Sequence, residues 1–289
     1  MITVADLLTK VRISSKIPPK QLDDTVLLSI ATDILYTRLI SQVTTTHGNY
    51  YKHEAVAEVS PTNFQYRFPP AAVGGGIIDV QYSTSSDRTD FIEMPMYQIE
   101  DKSSLQRKSG FLLNAGGLEI WPRPVCTQYL TVYYLLRPGK LIKSIESAKV
   151  VGIDLINGKL ELSTIPSAFS TSITIDVMKS SGLSERVVVD AQISDIPSSS
   201  EITVSTPSAL STVSVGDTVA QSGFSPFVQL PDEYVDYFVN MICEKLGQIT
   251  GDATLLAVAG KNVQTSKPDI MNITSPRVRD ELPGATVKW

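Results

Sequence analysis

The sequence predicts an α+β protein: a helical body with an antiparallel β-sheet region, an inserted small all-β domain of barrel or sandwich type, and an extended C-terminal arm. Three observations support this class. Apolar residues recur at helical spacing near both ends, strand-like segments fill the region between them, and one acidic Ser/Thr-rich segment interrupts the pattern. With 289 residues, 42% of them apolar, the chain is long enough to bury a sizeable core.

The N-terminal region predicts two helices. The first covers "VADLLTKVR", and Thr3 is placed to cap it. The second follows "KIPP" and extends from Leu22 to Val43, with Asp23 and Asp24 at the positive end of its dipole. The apolar residues of the second helix that recur at helical spacing are Val26, Leu27, Ile30, Ile34, Leu35 and Ile40.

Two more helices are predicted near the C-terminus. The stretch "LPDEYVDYFVNMICEKLG" has Pro231 at a favourable first position, and Gly247 is its expected end. Its apolar face consists of Tyr234, Val235, Phe238, Met241, Ile242 and Leu246. A weaker helix starts near Asp252 and is limited by Pro268. We expect the first and last helices to pack together.

The region from Asn49 to about Pro138 predicts strands separated by Gly, Pro, Asn and Ser. The "NAGG" stretch at 114–117 is a favourable hairpin turn, because glycine tolerates positive φ. The "VGGGIID" stretch at 73–79 lacks the spacing of a dinucleotide-binding loop and is interpreted as a tight loop before a strand. The "SSDRTD" stretch at 85–90 is interpreted as a solvated hairpin tip.

A shift in composition predicts the inserted domain. Residues 145–222 contain nine acidic and four basic residues, whereas the charges of the remaining chain sum to zero. The segment also holds a repeat, "STIPSAFST" at 163–171 and "STPSALST" at 205–212, each flanked by strand-like runs. Two such units suggest a small barrel or sandwich. The predicted domains are therefore a body of 1–144 and 223–272, an insert of 145–222, and an arm of 273–289.

Few residues suggest chemistry. Neither a nucleophile motif nor a full set of metal ligands accompanies His47 and His53, so we expect no catalytic residue, no metal and no cofactor. Cys126 and Cys243 are expected to be reduced, buried thiols, since no export signal is recognised. The net charge of −5 argues against a general nucleic-acid binder, and no run approaches a membrane span.

The order of these parts resembles the head-to-tail connector (adaptor) proteins of short-tailed bacteriophages. The resemblance covers most of the chain and is most specific in "FQYRFPPAAVGGGIIDVQY" and the closing "NITSPRVRDELPGATVKW". Further stretches that match in order are "MITVADLLTKVR", "GFLLNAGGLEIWPRP", "YLTVYYLLRPGKL" and "LPDEYVDYFVN".

The resemblance implies a structural virion protein at the head–tail junction, made in the host cytoplasm and without enzymatic activity. Its implied partners are the portal protein, a downstream tail or tail-hub protein, and further copies of itself in a homo-oligomeric ring, twelve-fold in the virion. Genomic DNA would pass through the lumen without sequence-specific binding, and no membrane is involved. We expect a neutral to acidic lumen, because a basic lining would bind DNA tightly.

The resemblance also gives the C-terminal arm a role, since the arms of similar adaptors reach onto the portal. Pro276 and Pro283 would keep the segment extended and lower the entropy cost of docking. Arg277 and Arg279 would donate forked hydrogen bonds to the portal, and Trp289 would be the buried anchor.

Two other functions stay open from sequence. The Ser/Thr-rich repeat could belong to a glycan-binding tail protein or capsid decoration protein, although aromatic platforms are nearly absent from it. A hydrolase whose triad assembles only in space is the third possibility.

Overall fold

The computed structural model describes residues 2–46, 50–68, 72–85, 90–97, 109–114, 117–179 and 186–273. The chain divides into two compact units, Met1–Gly48 with Pro138–Trp289, and Asn49–Arg137. Helices and antiparallel sheets occur together, so the predicted α+β class is confirmed. The predicted domain boundaries near Ser144 and Gly223 stay predictions.

The first helix starts as the sequence predicts. Strand β1 (Ile2–Thr3) leads into α1 (Val4–Ser15). The Thr3 hydroxyl accepts the backbone N–H of Asp6 at 3.1 Å, and the Asp6 carboxylate accepts the backbone N–H of Thr3 at 3.2 Å. This reciprocal capping box pairs N–H groups that the first turn leaves without helical partners.

The second helical region contains a π-helical turn that the sequence did not predict. It consists of α2 (Asp24–Ile34), the π turn Leu35–Leu39, and α3 (Ile40–Thr46). Its buried apolar residues are Leu27, Leu28, Ala31, Ile34, Leu35, Leu39 and Val43.

The predicted apolar face of this region is therefore partly wrong. Val26 is 49% exposed, and Leu28 and Ala31 take inward positions instead. Both faces have helical spacing, so packing against the other end of the chain decides between them. From the end of the π turn onward the inward positions are Leu39 and Val43, because a π turn accommodates one extra residue.

The unit Asn49–Arg137 consists of two four-stranded sheets, with strand orders β2-β9-β4-β5 and β3-β8-β7-β6. The strands are β2 (Lys52–Val59), β3 (Gln65–Arg67), β4 (Ala72–Ser83), β5 (Ile92–Glu93), β6 (Met96–Tyr97), β7 (Gly110–Asn114), β8 (Gly117–Trp121) and β9 (Gln128–Leu136). Phe68, after β3, packs edge-on against Tyr134 of β9 with ring centroids 5.7 Å apart, which joins the two sheets.

Two predicted hairpins are present and one predicted loop is wrong. Strands β7 and β8 pair at Asn114 and Gly117, and β4 pairs with β5 at Tyr82 and Ile92; the turn residues 115–116 and 86–89 lie outside the described chain. The glycines at 74–76 do not form a loop before a strand, because they lie within β4. The register shifts there, as glycine-containing strands often do.

Residues 147–221 form a closed six-stranded barrel in which each neighbouring pair is antiparallel. After β10 (Lys140–Leu141), its strands are β11 (Ser147–Asp154), β12 (Lys159–Leu162), β13 (Thr174–Met178), β14 (Arg186–Ser198), β15 (Glu201–Val204) and β16 (Thr218–Gln221). The strand order around the barrel is β11-β12-β15-β14-β13-β16. Its core is aliphatic, with Phe169 as the one buried aromatic ring among the described residues.

The barrel consists of two equivalent halves. Exchanging β11, β12 and β13 with β14, β15 and β16 leaves the strand neighbours unchanged. Each half places one copy of the Ser/Thr/Pro repeat between its second and third strands, and Phe169 and Leu210 occupy the same position in the two copies. Both side chains are buried in the barrel core, so each repeat covers one end of that core.

The C-terminal part returns to the helices. It contains β17 (Phe224–Ser225), β18 (Phe227–Val228), α4 (Val235–Thr250) and α5 (Ala253–Ile273). Strand β18 pairs with β1, β17 pairs with β10, and α4 contacts both α1 and α2. The predicted packing of the N-terminal helices against the C-terminal helical region is confirmed for α4, whose Phe238 and Ile242 are fully buried.

Two predicted helix ends are wrong. Gly247 does not end α4, which continues to Thr250 and stops at Gly251, a residue in the left-handed conformation at φ 70°. Instead, a Cβ at Gly247 would lie 2.7 Å from the backbone nitrogen of Leu256, so glycine permits the close crossing of α4 and α5. Pro268 does not limit α5, which continues to Ile273.

The helical region Asp24–Thr46 also meets a simple length-and-composition criterion for a membrane-spanning helix, contrary to our expectation from the sequence. This is weak support for a membrane span, because buried core helices meet the same criterion. Here Leu27, Leu35 and Leu39 are almost fully buried, and α2 contacts α4.

Candidate partner-binding site

The predicted arm residues lie outside the described chain, which ends at Ile273. These residues are Pro276, Arg277, Arg279, Pro283 and Trp289. Their role as a portal-binding arm therefore stays a prediction. The structure instead describes the helix that precedes them.

Helix α5 packs against α4 along one side. Leu255, Leu256, Ala259 and Val263 are partly or fully buried at helical spacing, and Ala259 is 3% exposed. The opposite side exposes small or polar residues and Lys261, together with Val258, which is 57% exposed. One side of this helix is thus held by the body and the other is accessible to a partner.

A small cleft lies between the π turn and α4, with a volume of about 170 Å³. Its lining residues are Ile30, Asp33, Ile34, Thr37, Arg38, Glu244, Lys245 and Gln248. The π turn shapes the cleft: the backbone N–H of Ile40 bonds to the carbonyl of Leu35, five residues earlier. The Thr37 hydroxyl donates to the Asp33 carbonyl at 2.7 Å. Single π turns are frequent at functional sites.

The charges in this cleft are balanced. The Arg38 guanidinium lies 3.7 Å from the Glu244 carboxylate, and Asp33 and Lys245 add one charge of each sign. Arg38 is half-exposed, so solvent screens this ion pair and it contributes little stability. Such a pair can exchange its partner for a charged group on another protein at small cost.

The cleft is smaller than most small-molecule sites. Small-molecule sites usually occupy roughly 300–1,000 Å³, so a cleft of about 170 Å³ accommodates a single side chain of a partner. Its lining residues contain no histidine, cysteine or serine, and the Thr37 hydroxyl is already bonded to the backbone. The ionisable side chains of the cleft are those of Asp33, Arg38, Glu244 and Lys245.

The cysteines and histidines give no alternative site within the described residues. Cys243 is buried as predicted, and burial raises the pKa of its thiol to about 11, which leaves it protonated and unreactive. The prediction for Cys126 is wrong, because that residue is exposed. His53 packs edge-on against Tyr134, and His47 lies outside the described chain. The described residues contain no group of three or more potential metal ligands.

A buried charged cluster on the barrel was missed by sequence analysis. Asp176 and Arg186 are almost completely buried, with a carboxylate oxygen 3.2 Å from the Arg186 Nη1. The Asp176 carboxylate also accepts the backbone N–H groups of Asp190 and Gly223, each at 3.0 Å. Because Gly223 belongs to the segment that leaves the barrel, the cluster fixes that segment to the barrel wall.

The second acid of this cluster, Asp190, is in an unusual environment. It has a positive φ of 55° and accepts a hydrogen bond from the Ser222 hydroxyl. Burial raises the pKa of the Asp190 carboxyl and the negative Asp176 adds to this, while the Ser222 hydrogen bond and Arg186 oppose it. One sequence signal existed: Asp176 is a lone acid within the apolar run "ITIDVM".

No protein-family model matches this chain, and a search of curated proteins finds no match either. Function must therefore be argued from the residues and their geometry.

Proposed function

We propose that this protein is a structural adaptor of a tailed bacteriophage, forming a ring that joins the portal to the tail around the DNA channel. Within this proposal the portal, a downstream tail or tail-hub protein and further copies of the chain are its partners. The observation that supports it best is the arrangement of α5. This 21-residue helix is held by α4 on one side, is accessible on the other, and leads directly to the predicted arm.

The described sites agree with a docking role. The cleft beside the π turn has the volume of one side chain and a half-exposed ion pair, both suited to a protein partner. The glycan-binding alternative is weakened further, because Phe169, the one aromatic residue of the repeat pair, is 7% exposed and belongs to the barrel core, so it offers no platform for a sugar ring.

Truncation of the arm tests the proposal. Deleting residues 276–289 should leave the melting temperature nearly unchanged and abolish or greatly weaken binding to purified portal, measured by sedimentation and electron microscopy. Trp289→Ala alone should cost on the order of 2 kcal/mol or more of binding free energy if the indole side chain anchors the interface. Because adaptors can stay monomeric until the portal templates them, a monomer in isolation does not decide the matter.

A charge-matched pair of variants separates the arm from general electrostatics. Arg277→Ala with Arg279→Ala should weaken portal binding, whereas Lys20→Ala with Lys149→Ala removes the same charge from exposed positions elsewhere and should not. Equal losses of portal affinity in the two double variants would show that the arm does not bind the portal specifically. A truncated protein that binds portal with unchanged affinity would show the same. Tight, salt-sensitive binding of the isolated protein to duplex DNA would count against the channel role.

A further inference from the structure

The two ends of the barrel differ in their relation to the rest of the chain. The chain enters the barrel at Ser147 and leaves it at Gln221, and these residues lie at the same end because β11 and β16 are antiparallel. We call this the entry end. The distal end is the opposite one, where β11 turns into β12 at 155–158. The corresponding turn of the second half, at 199–200, lies at the entry end because β12 and β15 are antiparallel.

Large aliphatic side chains are exposed at the distal end. Exposed fractions are 51% for Val151, 50% for Leu155, 91% for Ile156 and 66% for Val215. The Val150 N–H donates to the Asp217 carbonyl and the Gly216 N–H donates to the Val150 carbonyl, so Val151 on β11 lies beside the turn before β16 that contains Val215. Leu155 and Ile156 follow in the turn at the same end.

The equivalent positions at the entry end are mostly polar. The pair that corresponds to Val151 and Val215 is Gln192 and Thr174, which are paired across β14 and β13. The turn that corresponds to Leu155 and Ile156 consists of Ser199 and Ser200. Equivalence of the halves thus provides an internal reference: the fold does not require aliphatic residues at these positions. Ile145, also exposed, lies before the barrel in the connecting turn.

The distal turn is held in a defined shape. The Asp154 carboxylate accepts the backbone N–H groups of Ile156 at 3.0 Å and Asn157 at 3.1 Å. Gly158 packs under Pro207 of the second repeat, since a Cβ at Gly158 would lie 2.9 Å from that ring. Ile156 is therefore presented on a preorganised turn, which lowers the entropy cost of burying it against a partner.

Area and charge limit what can cover this end. Four partly exposed aliphatic residues supply a few hundred Å², the size of patch that is often functional, while a stable interface needs about 800 Å² from each partner. The aliphatic residues would thus form the centre of an interface with a polar rim. Residues 145–222 carry nine acidic and four basic residues, so two copies of the barrel repel each other and a basic partner is attracted.

We propose that the distal end of the barrel is the docking site for a second protein that presents an apolar groove bordered by lysine and arginine. The inference rests on the proposed adaptor function, within which this partner is the downstream tail component and not the portal or a neighbouring copy.

Thiol labelling of the protein in three assembly states tests whether the distal end is covered by the tail component. Ile156→Cys and, as the matched control at the entry end, Ser199→Cys are placed in a Cys126→Ser background; Cys243 is buried and does not compete. Maleimide labelling is measured for the free protein, the portal-bound ring and the complete particle. Residue 156 should lose its labelling only in the complete particle, and residue 199 should label equally in all three.

A second pair of variants measures the energetic contribution. Val151→Glu with Ile156→Glu should weaken attachment of the tail component by about tenfold or more. Gln192→Glu with Ser199→Glu adds the same negative charge at equivalent positions and should leave attachment unchanged. Melting temperatures of both double variants confirm that the barrel is folded.

The outcomes are distinct. Labelling of residue 156 that persists in the complete particle overturns the docking site, and protection already in the portal-bound ring shows that the portal or a neighbouring copy covers it. Unmodified protein that fails to bind portal overturns the adaptor function, and this inference with it.

Discussion

The two halves of the barrel share a core and differ in what surrounds it. Phe169 and Leu210 occupy the same repeat position and are both buried. Asp176 lies ten residues after Pro166, and Asp217 lies ten residues after Pro207, yet their surroundings differ. The core is thus set by requirements that both halves share, while the outer surface of each half is specialised.

Asp176 shows this specialisation. It alternates with Ile175 and Val177, which lie in the barrel core, so its side chain is on the outer face of β13. There it is completely buried with Arg186 and accepts the N–H of Gly223 in the exit segment. Asp217 accepts the N–H of Ser214 at 2.8 Å, within its own turn. One acid joins the barrel to its exit segment and the other stabilises a local turn.

The largest expected effect comes from the first of these acids. Asp176→Ala should destabilise the protein by about 3–5 kcal/mol, because it leaves the buried Arg186 charge unpaired. Asp217→Ala should cost less, about 1.5–3 kcal/mol for loss of a charged hydrogen bond. Both are measured by urea unfolding. Equal losses would show that the cluster does not fix the exit segment more strongly than a local turn.

The second prediction concerns what the halves share. Phe169→Ala should cost about 3–5 kcal/mol and Leu210→Ala about 2–5 kcal/mol, because each removes a buried side chain from one end of the same core. The exposed Val215→Ala, at 66% exposure, is the control and should change stability little. A large loss at one repeat position and a negligible one at the other would contradict the equivalence of the halves.

Features that depend on local sequence could be predicted, whereas features that depend on contacts between distant residues could not. The cap at Thr3 and the packing of the two chain ends were predicted, because they depend on local spacing and on apolar faces, whereas the return hydrogen bond to Asp6 was not. The π turn at Leu35–Leu39 was missed, since helical spacing alone does not distinguish it from a regular helix. The close crossing at Gly247 was read as a helix end, because its cause is Leu256 on another helix.

The candidate sites show a sharper limit. The arm was predicted from composition and lies outside the described chain. The cleft depends on Arg38 and Glu244, and the buried cluster on Asp176 and Arg186; both pairs meet only after folding. An acid within an apolar strand segment indicates a buried partner, but the sequence does not show which residue it is.

The smallest expected effect concerns Asp190, the second acid of the buried cluster with Asp176 and Arg186. Burial raises the pKa of this carboxyl above the unfolded value of about 3.9. The folded state therefore binds a proton more tightly than the unfolded state. The stability from this group is fully present below about pH 4 and is lost as pH rises through the raised folded-state pKa.

Asp190→Asn should remove this dependence without disturbing the backbone. Asparagine tolerates the positive φ of 55° at this position and keeps a carbonyl oxygen to accept the Ser222 hydroxyl. The measurement is the difference in melting temperature between wild type and variant across pH. A difference is needed because other carboxyls make the melting temperature of both proteins rise with pH. Hydrogen bonds lower the pKa values of these carboxyls, which are Asp6 with Thr3, Asp23 with Thr25 and Asp154 with Asn157. The variant should gain relative to wild type as pH rises from about 4 towards neutrality. A difference that is flat across this range would mean that Asp190 is ionised in the folded protein, held by Arg186 more strongly than burial and Asp176 oppose it.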